Sequence, residues 1–345
     1  MSRTVLLAGF GAFGALHADA WRRLPDIRLL LAEPDAAART RALHAGFAED
    51  DVVDDVAKAL DRVDLVDIVS PPETHLPVAR AALARKRPVL IEKPATRTRA
   101  DALCLIEAAG AIPVQVGLVL RAHPLVQRAR GLLAEGAIGR LVFLSGDFSG
   151  WKRMRAESSL LENDGVHCLD LMRHLADSPV AEVDAVSWSR LGGDRADDIR
   201  IDLRHANDLT AELRLGLPRG GEVEDTFVPG AVTRKRLTLC GTAGTLSLDF
   251  NAGRLYLGEV GYSPAPGGWA VAPAARRWEA APATPVSLLT ACFIRFLDCL
   301  DHGQPPLCDA AQGALELACV MAAVDRALAR PSRSGIPVTE NVEVS

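Results

Sequence analysis

The stretch VLLAGFGAFGALHADAW, residues 5–21, decides the fold of this chain. It begins with a short apolar run, continues with three glycines in the pattern G-x-G-x-x-G, and ends in an alanine-rich segment with the composition of a helix. The glycine pattern alone is a weak signal, because the 345 residues include 28 glycines. It indicates a dinucleotide-binding turn only if a strand precedes it, a helix follows it and an acidic residue lies at the right distance beyond.

The segments around this stretch supply the strand and the helix. Near-continuous apolar runs alternate with helical patterns through the first third of the chain, which predicts a parallel sheet covered by helices on both faces. The predicted strands are 4–8, 27–32, 52–53, 65–69, 89–91 and 114–117. The predicted helices are 12–24, 36–45, 56–60, 75–85 and 99–109. We therefore expect an α/β Rossmann domain with a doubly wound parallel sheet over residues 1–120.

The pattern changes after residue 120, where several strands follow one another. The predicted strands are 141–147, 182–190, 198–204, 208–216, 236–240, 245–250 and 254–257. The predicted helices are 124–135, 167–175, 288–300 and 310–329. We expect a second, α+β domain over residues 121–345 with a large, mostly antiparallel sheet. The proline- and glycine-rich pieces at 216–230 and 263–285 are expected to be loops or excursions inside the domain rather than linkers.

Each glycine of the opening motif has its own expected role. Gly9 permits the tight turn after the first strand, Gly11 lets a pyrophosphate approach the backbone, and Gly14 lets the helix pack close to the strand. The start of the helix offers unpaired N–H groups and the positive end of its dipole to the phosphates. We expect the whole turn to contact the cofactor, including the intervening residues Phe10, Ala12 and Phe13.

Glu33 stands at the end of the second predicted strand, 19 residues after Gly14. An acidic residue at this distance accepts hydrogen bonds from the ribose hydroxyls of a dinucleotide. It also repels a 2′-phosphate, so NAD is favoured over NADP as the cofactor. Arg39 and Arg41 follow closely in the sequence and could soften that preference.

Lys93, within IEKPATRT at 91–98, is the first candidate catalytic residue. It follows a buried apolar strand, at the carboxyl end of the sheet, where open α/β folds bind ligands. Loss of hydration lowers the pKa of such a lysine and lets it donate to a substrate hydroxyl. A surface lysine is the alternative interpretation, but the flanking Glu92 and Pro94 favour a functional one. The Lys93–Pro94 bond is a candidate for the cis form.

Several motifs together resemble the Gfo/Idh/MocA family, which includes glucose-fructose oxidoreductase and inositol dehydrogenase. The resemblance covers nearly the whole chain. It rests on an ordered set of motifs: GFGAFG at 9–14, SPPETH at 70–75, EKP at 92–94, R-x-H-P at 121–124, EGAIGRL at 135–141, GVHCLD at 165–170 and CGTAGTLSLD at 240–249. It implies an NAD(P)-dependent oxidoreductase that acts on a sugar, a sugar derivative or a cyclitol. It also implies a second domain whose sheet forms an interface between subunits.

The resemblance assigns catalytic roles by position. Lys93 matches the family's catalytic lysine, and His167 matches its catalytic histidine. In the implied reaction a secondary alcohol loses its proton to His167, assisted by Lys93, while a hydride passes to the nicotinamide; a ketone is reduced by the reverse steps. Asn163 stands where the family often has aspartate. Asn163 can orient the substrate or the imidazole but cannot balance an imidazolium, and the adjacent Asp164 is the candidate to replace it.

Further residues are expected to line the clefts for cofactor and substrate. The cofactor cleft is expected to be lined by residues of the SPPETH and EKP motifs, namely Ser70, Pro71, His75, Glu92 and Lys93. His75 has a second interpretation, as a helix-capping residue. The substrate cleft takes residues after the last Rossmann strand, in a basic-aromatic loop and on the catalytic helix, namely Arg121, His123, Trp151, Lys152 and Asp170. Arg153 and Arg155 belong to the same loop, whose alternative interpretation is a solvated surface.

Composition and charge restrict the partners. A net charge of −5 argues against nucleic acid as the main partner, and no apolar run reaches the length of a bilayer span. The first ten residues run straight into a strand and turn, so no export signal is expected. Seven scattered cysteines, never spaced C-x-x-C, fit reduced thiols in a cytoplasmic protein better than disulfides or a metal site. We therefore expect a cytoplasmic protein with no metal. The family resemblance implies a small sugar-like substrate, and together with the alternating pattern of the second sheet it implies a homodimer or homotetramer.

Two other functions stay open from the sequence. The first is a glycosidase that uses tightly held NAD for transient oxidation, although no acidic residue is marked for protonation of a leaving group. The second is a non-catalytic, NAD(P)-binding regulatory or sensor protein. Asn163 favours the sensor, whereas the intact EKP motif and His167 argue against it.

Overall fold

The computed structural model describes residues 2–153 and 158–330 of the chain. Its first sheet has six parallel strands in the order β3-β2-β1-β4-β5-β6. These strands are β1 (Arg3–Ala8), β2 (Ile27–Ala32), β3 (Val52–Val53), β4 (Leu65–Ile68), β5 (Val89–Ile91) and β6 (Val114–Val116). The order reverses between β1 and β4, so the carboxyl ends of these strands open a crevice of the kind that binds ligands. The predicted doubly wound class is confirmed.

Four helices belong to this first part, α1 (Ala12–Trp21), α2 (Ala36–His44), α3 (Pro72–Ala84) and α4 (Arg99–Ala109). β4, β5 and β6 are buried along their whole length, as expected for a parallel sheet that helices cover. The predicted helix at 56–60 is wrong. Two short 3₁₀ turns, Val56–Lys58 and Leu60–Arg62, replace it, and the side chain of Asp55 caps the first of them.

The second sheet has nine strands. Eight follow the order β15-β14-β13-β12-β7-β10-β9-β8, and β11 pairs with β12. They are β7 (Leu141–Trp151), β8 (Val180–Trp188), β9 (Asp198–His205), β10 (Thr210–Gly216), β11 (Val223–Glu224), β12 (Val232–Gly241), β13 (Gly244–Asp249), β14 (Arg254–Ala265) and β15 (Gly268–Ala280). All neighbouring pairs are antiparallel except β7 and β10. The predicted α+β class of this part is confirmed.

The helices of this second part are α5 (Pro124–Ala134), α6 (Val166–Ala176), α7 (Pro285–His302) and α8 (Leu317–Leu328). α6 packs across β7 at Gly146, where a side chain would press on Cys168 and Met172 of the helix. On β12, Leu237 and Leu239 are fully buried while the alternate residues 236, 238 and 240 are partly exposed, so the sheet presents one apolar face. Within the described ranges, no helix is both long enough and apolar enough to cross a membrane.

Several predicted boundaries in the second part are wrong. The predicted loop at 263–285 is mostly strand, because β14 and β15 form a long hairpin there. Its prolines, alanines and the turn glycines Gly267 and Gly268 hide the alternation that would mark a strand. The predicted loop at 216–230 contains the short strand β11, and β7 continues to Trp151 because it stays paired with β12 that far.

The C-terminal part of the chain returns to the first sheet. Phe293 of α7 stacks on Trp21 at the end of α1, with ring centroids 4.1 Å apart and an interplanar angle of 11°. Gln115 in β6 donates to the Cys292 carbonyl at 3.0 Å and accepts from the Leu307 N–H at 2.9 Å. These contacts hold α7 against the helix that follows the glycine turn. The division of the chain at residue 120 stays a prediction.

Candidate active site

The glycine turn follows β1. Gly9 has a φ of +108°, which favours glycine, and a Cβ there would lie 2.8 Å from the Ser70 nitrogen. A Cβ at Gly14 would collide with the Gly9 carbonyl oxygen, whereas nothing lies within 4 Å of the Cβ position of Gly11. Gly14 is therefore needed for packing, and Gly11 leaves open space for a ligand.

The first turn of α1 carries no internal cap. Gly11 is the N-cap residue and has no side chain to accept a hydrogen bond, and the first turn has no acidic residue. Ala12 and Phe13 are exposed at this end, while Phe10 is buried beneath it. Unpaired N–H groups at the positive end of a helix bind phosphate groups, so this turn fits a dinucleotide pyrophosphate.

Glu33 lies directly after β2, beside the glycine turn. Its side chain is buried, with Oε2 accepting the Phe10 N–H at 2.7 Å and Oε1 accepting the Asp35 N–H at 2.9 Å. These two bonds fix the carboxylate where the ribose hydroxyls of a dinucleotide would lie. Arg39 donates to the carbonyl oxygens of Glu33 and Pro34, so its guanidinium lies at the same rim.

The SPPETH segment connects the glycine turn to the EKP turn. His75 is buried, with Nε2 2.8 Å from the Ser70 carbonyl oxygen and Nδ1 3.0 Å from the Pro94 carbonyl oxygen. Burial lowers the pKa of His75, although the two carbonyls oppose that effect. Pro71, not His75, is the N-cap residue of α3. The interpretation of His75 as a cap is therefore wrong, and the residue links two loops at the edge of the crevice.

Lys93 follows β5, and its peptide bond to Pro94 is cis. Its ammonium lies 3.3 Å from the carbonyl oxygens of both Glu162 and Asn163. Glu92 is buried, and its carboxylate accepts the N–H of Lys93 at 3.0 Å. The side chain of Lys93 thus reaches from the first sheet to the turn that precedes α6.

One π-helical turn directly before α6 contains Asn163 and Asp164. The Asn163 amide donates to the Ser158 hydroxyl at 2.8 Å, while its backbone carbonyl faces Lys93. The Asp164 carboxylate forms an ion pair with Lys152. The backbone of Asn163 rather than its side chain therefore meets Lys93, and Asp164 compensates the charge of Lys152.

His167 lies in the first turn of α6. Burial lowers the pKa of His167 well below its usual range, and the ammonium groups of Lys93, Lys235 and Lys152 lower it further. Its Nδ1 is buried and has no hydrogen-bond partner among residues 2–153 and 158–330. The imidazole is therefore neutral at pH 7 and able to accept a proton. The chain has only five lysines, and three of them act on this one histidine.

Lys235 and Asp225 form a buried ion pair that the sequence interpretation misses. The Lys235 ammonium lies 2.9 Å and 2.8 Å from the two carboxylate oxygens of Asp225, and 4.9 Å from the centre of the Phe227 ring. Lys235 shares the buried face of β12 with Leu237 and Leu239. Residues at i, i+2 and i+4 of a strand point to one face. A lysine two and four positions before two leucines is therefore the sequence signal for a buried lysine.

Arg121, Asp170 and His123, predicted to line the substrate cleft, are buried and have hydrogen-bond partners inside the protein. Arg121 is only 1% exposed, and its Nε and Nη2 donate to the Asp170 carboxylate at 2.8 Å and 2.6 Å, so the pair is satisfied inside the protein. His123 is the N-cap of α5, where its Nδ1 accepts the Leu125 N–H at 3.1 Å. Burial lowers the pKa of His123 to about 4. A contact of these three side chains with the substrate stays a prediction.

The basic-aromatic segment begins on a strand rather than in a loop. Trp151 is the last residue of β7 and is 63% exposed. Lys152 is largely buried through its ion pair, whereas Arg153 is exposed. Arg155 lies outside the described residues. Lys152 is therefore the member of this segment that the structure brings near His167.

Comparison with known proteins identifies the family. Residues 3–118 match an oxidoreductase family with an NAD-binding Rossmann fold, and residues 126–247 match the Gfo/Idh/MocA C-terminal domain. The chain belongs to the Gfo/Idh/MocA oxidoreductase family. The resemblance of the sequence motifs is thereby confirmed, and the glycine turn belongs to an NAD-binding Rossmann fold.

Curated relatives of this family member include inositol 2-dehydrogenases and a dTDP-sugar reductase. The inositol 2-dehydrogenase of Acidothermus cellulolyticus is 29% identical over 62% of this chain and 66% of that protein. The inositol 2-dehydrogenase of Leifsonia xyli subsp. xyli is 31% identical over 63% of this chain and 69% of that protein. The dTDP-3,4-didehydro-2,6-dideoxy-alpha-D-glucose 3-reductase of Streptomyces antibioticus is 30% identical over 70% of this chain and 75% of that protein. The chain thus matches about two thirds of the length of the two inositol dehydrogenases.

Solved structures share the fold over almost the whole chain. Levoglucosan dehydrogenase, in complex with NADH and levoglucosan, has a TM-score of 0.78 and 20% identity, covering 95% of this chain and 97% of that one. UDP-N-acetylglucosamine 3-dehydrogenase from Acidithiobacillus ferrooxidans has a TM-score of 0.76 and 22% identity, covering 95% of this chain and 98% of that one. At these identities the likeness concerns the fold alone.

Proposed function

We propose that the protein is an NAD-dependent dehydrogenase or ketoreductase that transfers a hydride between the cofactor and a secondary alcohol or ketone of a sugar, a sugar nucleotide or a cyclitol. One observation carries the proposal: the Lys93 ammonium lies 3.3 Å from the Asn163 carbonyl, four residues before His167, which burial and nearby lysines keep neutral. A hydrogen-bond donor and a neutral base thus meet at the carboxyl end of the first sheet, where α/β folds bind ligands.

The two side chains divide the proton chemistry. His167 accepts the proton of the substrate hydroxyl, and Lys93 donates a hydrogen bond to the same oxygen. An imidazolium beside three lysines is unfavourable, so the half-buried His167 releases the proton to solvent, and Lys93 stabilises the negative charge that develops on the oxygen. NAD, when bound, supplies the hydride acceptor. The same groups work in the opposite direction when a ketone is reduced.

NAD is the proposed cofactor, and NADP is the second choice. The buried Glu33 carboxylate beside the glycine turn suits two ribose hydroxyls and repels a 2′-phosphate. Arg39 lies at the same rim and weakens that repulsion without cancelling it, because its Nη1 already donates to two backbone carbonyls.

The charged pair beside His167 suits a polyhydroxylated substrate. Lys152 pairs with Asp164, so this pair offers both hydrogen-bond donors and acceptors. A hydroxyl group both donates and accepts, and a ring with several hydroxyls can use both kinds of partner. The inositol dehydrogenases and the dTDP-sugar reductase among the relatives support the same substrate class.

A regulatory, NAD(P)-binding protein is the second candidate function. Asn163 in place of the usual aspartate favours it, because His167 then has no ion pair with a carboxylate among the described residues. A base without that support is a weaker proton acceptor. The neutral imidazole and the anchored Lys93 favour catalysis instead.

We also propose a cytoplasmic homodimer or homotetramer formed through the second sheet. The edge hairpin β14–β15 exposes Trp269, Val271 and Trp278, and large exposed apolar residues at a sheet edge are typical of an interface. All seven cysteines are free thiols, which suits a reducing compartment. The net charge of −5 argues against a nucleic-acid or anionic membrane partner. Sedimentation equilibrium measures the mass of the assembly directly.

Absorbance of the reduced cofactor tests the proposed function. The purified protein is mixed with NAD, or with NADP, and with each member of a panel of inositols, free sugars and sugar nucleotides. Turnover of at least one member, faster with NAD than with NADP, supports the proposal. Tight binding of NAD without turnover of any member supports the sensor, and failure to bind either cofactor contradicts both.

A further inference from the structure

A buried charge cluster lies directly behind the Lys93 turn. It consists of His17 in α1, Asp67 in β4 and Glu92 after β5, whose exposed fractions are 1%, 0% and 7%. His17 Nδ1 lies 2.8 Å from Asp67 Oδ2, and His17 Nε2 lies 3.4 Å from Glu92 Oε1. One imidazole therefore stands between two carboxylates that come from neighbouring strands.

The imidazole of His17 is protonated at neutral pH. Burial alone would lower its pKa, but Asp67 and Glu92 outweigh that effect and raise the pKa of His17 to about 9. The indole N–H of Trp21 donates to the same Asp67 oxygen at 2.7 Å. Removing one member of a buried ion pair leaves an uncompensated charge, so the imidazolium holds both carboxylates in place.

Glu92 connects this cluster to the candidate catalytic lysine. Its second oxygen, Oε2, accepts the backbone N–H of Lys93 at 3.0 Å. The carboxylate fits only because residue 117 is glycine, since a Cβ at Gly117 would collide with Glu92 Oε1. With one oxygen facing His17 and the other bonded to Lys93, a displacement of Glu92 would move the backbone that carries the ammonium.

His17 also belongs to the cofactor side of the crevice. Its helix, α1, begins at the glycine turn, and the Phe13 ring of that turn lies 5.0 Å from the imidazole. The Phe293 ring of α7 lies 5.3 Å from it. The cluster therefore joins the cofactor turn to Lys93, the two features whose separation a hydride transfer must keep fixed.

We propose that His17 is a positioning residue that acts through Glu92 on Lys93 and sets the distance between the Lys93 ammonium and the cofactor turn. The inference rests on the proposed function, because only a reaction between substrate and cofactor depends on that distance. A misplacement of about 1 Å in such a geometry costs about 10²-fold in rate.

Kinetics of two substitutions test this role. His17→Gln keeps a hydrogen-bonding side chain but removes the positive charge. We expect kcat to fall by about 10-fold or more while the Kd of NAD changes by less than about 3-fold. Glu92→Gln should also lower kcat, and the double variant should be no slower than the slower single one, because both substitutions act on one path.

The control is His44→Gln, at an exposed position of α2, which should retain the kcat of the unsubstituted protein. A purely structural role predicts a lower melting temperature for His17→Gln with unchanged kcat well below that temperature. That result, or fully additive effects of the two substitutions on kcat, would overturn the proposal.

A readout without turnover separates this inference from the proposed function. Reductive ¹³C-methylation labels the five lysines, Lys58, Lys86, Lys93, Lys152 and Lys235. Lys93→Arg identifies the Lys93 resonance. We expect His17→Gln to change its chemical shift and titration midpoint while those of Lys58 and Lys86 stay constant. If His17→Gln does not fold, Glu92→Gln should give the same change.

Each outcome of the labelling experiment has one meaning. An unchanged Lys93 resonance in the folded variant overturns the positioning role, whether or not the protein turns over a substrate. A changed resonance in a protein that binds NAD but turns over no member of the substrate panel upholds the contact between His17 and Lys93 and overturns the dehydrogenase function.

Discussion

The Lys93 ammonium and the Asn163 carbonyl oxygen lie 3.3 Å apart, and this contact joins the two parts of the chain at the candidate site. Lys93 follows the last residue of β5 by two positions, and Asn163 lies in the turn that leads into α6. The contact uses the backbone of residue 163, so it does not depend on whether that residue is asparagine or aspartate. The position of Lys93 relative to His167 is therefore set before a substrate binds.

The pH dependence of catalysis should report the lowered pKa of His167. Oxidation needs the neutral imidazole, and a lowered pKa means that this form persists to lower pH. We expect kcat/KM to stay level as the pH falls to 6.5 and to decline only below it. Asn163→Asp adds a carboxylate one turn before His167, should raise the pKa of His167 and should move this decline upward by about one pH unit.

Asn207→Asp is the control for this series, because Asn207 is exposed in the turn between β9 and β10. It adds the same charge far from the site and should leave the profile unchanged. An acidic decline above pH 6.5 in the unsubstituted protein, or no displacement in Asn163→Asp, would contradict the assignment of His167 as the base.

Substitutions of Gly14 and Gly11 should affect different properties, the first lowering stability and the second weakening NAD binding. Gly14→Ala places a Cβ against the Gly9 carbonyl oxygen, so it should lower the melting temperature even without cofactor. Gly11→Ala has open space around its Cβ and a φ of −75°, so stability should be unchanged while NAD binding weakens by about 10-fold or more. Calorimetry and NAD titration measure both effects, and equal NAD affinity in Gly11→Ala would remove this turn from the proposed cofactor site.

Cofactor preference should depend on Glu33. Glu33→Ala removes the acceptor for ribose hydroxyls and the charge that repels a 2′-phosphate, so the ratio of NAD to NADP affinity should fall by about 10-fold or more. Glu49→Ala, an exposed acidic residue of the same region, should leave the ratio unchanged. Titration of both variants with both cofactors gives the ratio. A ratio unaffected by Glu33→Ala would place the preference elsewhere.

The buried pair of Lys235 and Asp225 should be costly to break. Lys235→Met leaves the fully buried Asp225 side chain unpaired, and we expect the free energy of unfolding to fall by about 3–5 kcal/mol. Adding Asp225→Asn should recover most of this loss, because both charges are then removed together while a side-chain oxygen still accepts from the N–H groups of Phe227 and Val228. Urea denaturation measures both variants, and an equally unstable double variant would show that packing rather than charge explains the loss.

Local signals made the first sheet and its glycine turn predictable. An apolar run, a Gly9 that must adopt a positive φ, and Glu33 at the end of the next strand all lie within about 30 residues. Beyond residue 257 the hairpin β14–β15 has no such signal, because its composition is typical of loops and its pairing is decided by the sheet edge beside it. The sequence pattern therefore predicts a strand only over 254–257 and a loop at 263–285, where β14 ends and β15 lies.

Contacts between residues far apart in the sequence limit how much of the site the sequence predicts. Lys93 and His167 are far apart in the sequence, and only the family resemblance brought them together before the structure did. Arg121 follows the last Rossmann strand closely, and this position alone predicts a side chain that lines the crevice. The side chain is buried instead, because Asp170 on the distant helix α6 offers a bidentate partner. The role of Lys235 depends in the same way on Asp225, which no local pattern pairs with it.

Cofactor binding and turnover by Lys93→Ala test the central claim most directly. The substitution removes the ammonium that is anchored at Asn163 but leaves the glycine turn and Glu33 untouched, and Lys58→Ala, at an exposed lysine, is the matched control. We predict that Lys93→Ala binds NAD within about 3-fold of the unsubstituted protein while kcat for its best substrate falls by about 10²-fold or more. Retained turnover, or loss of NAD binding together with turnover, would contradict the assignment of Lys93.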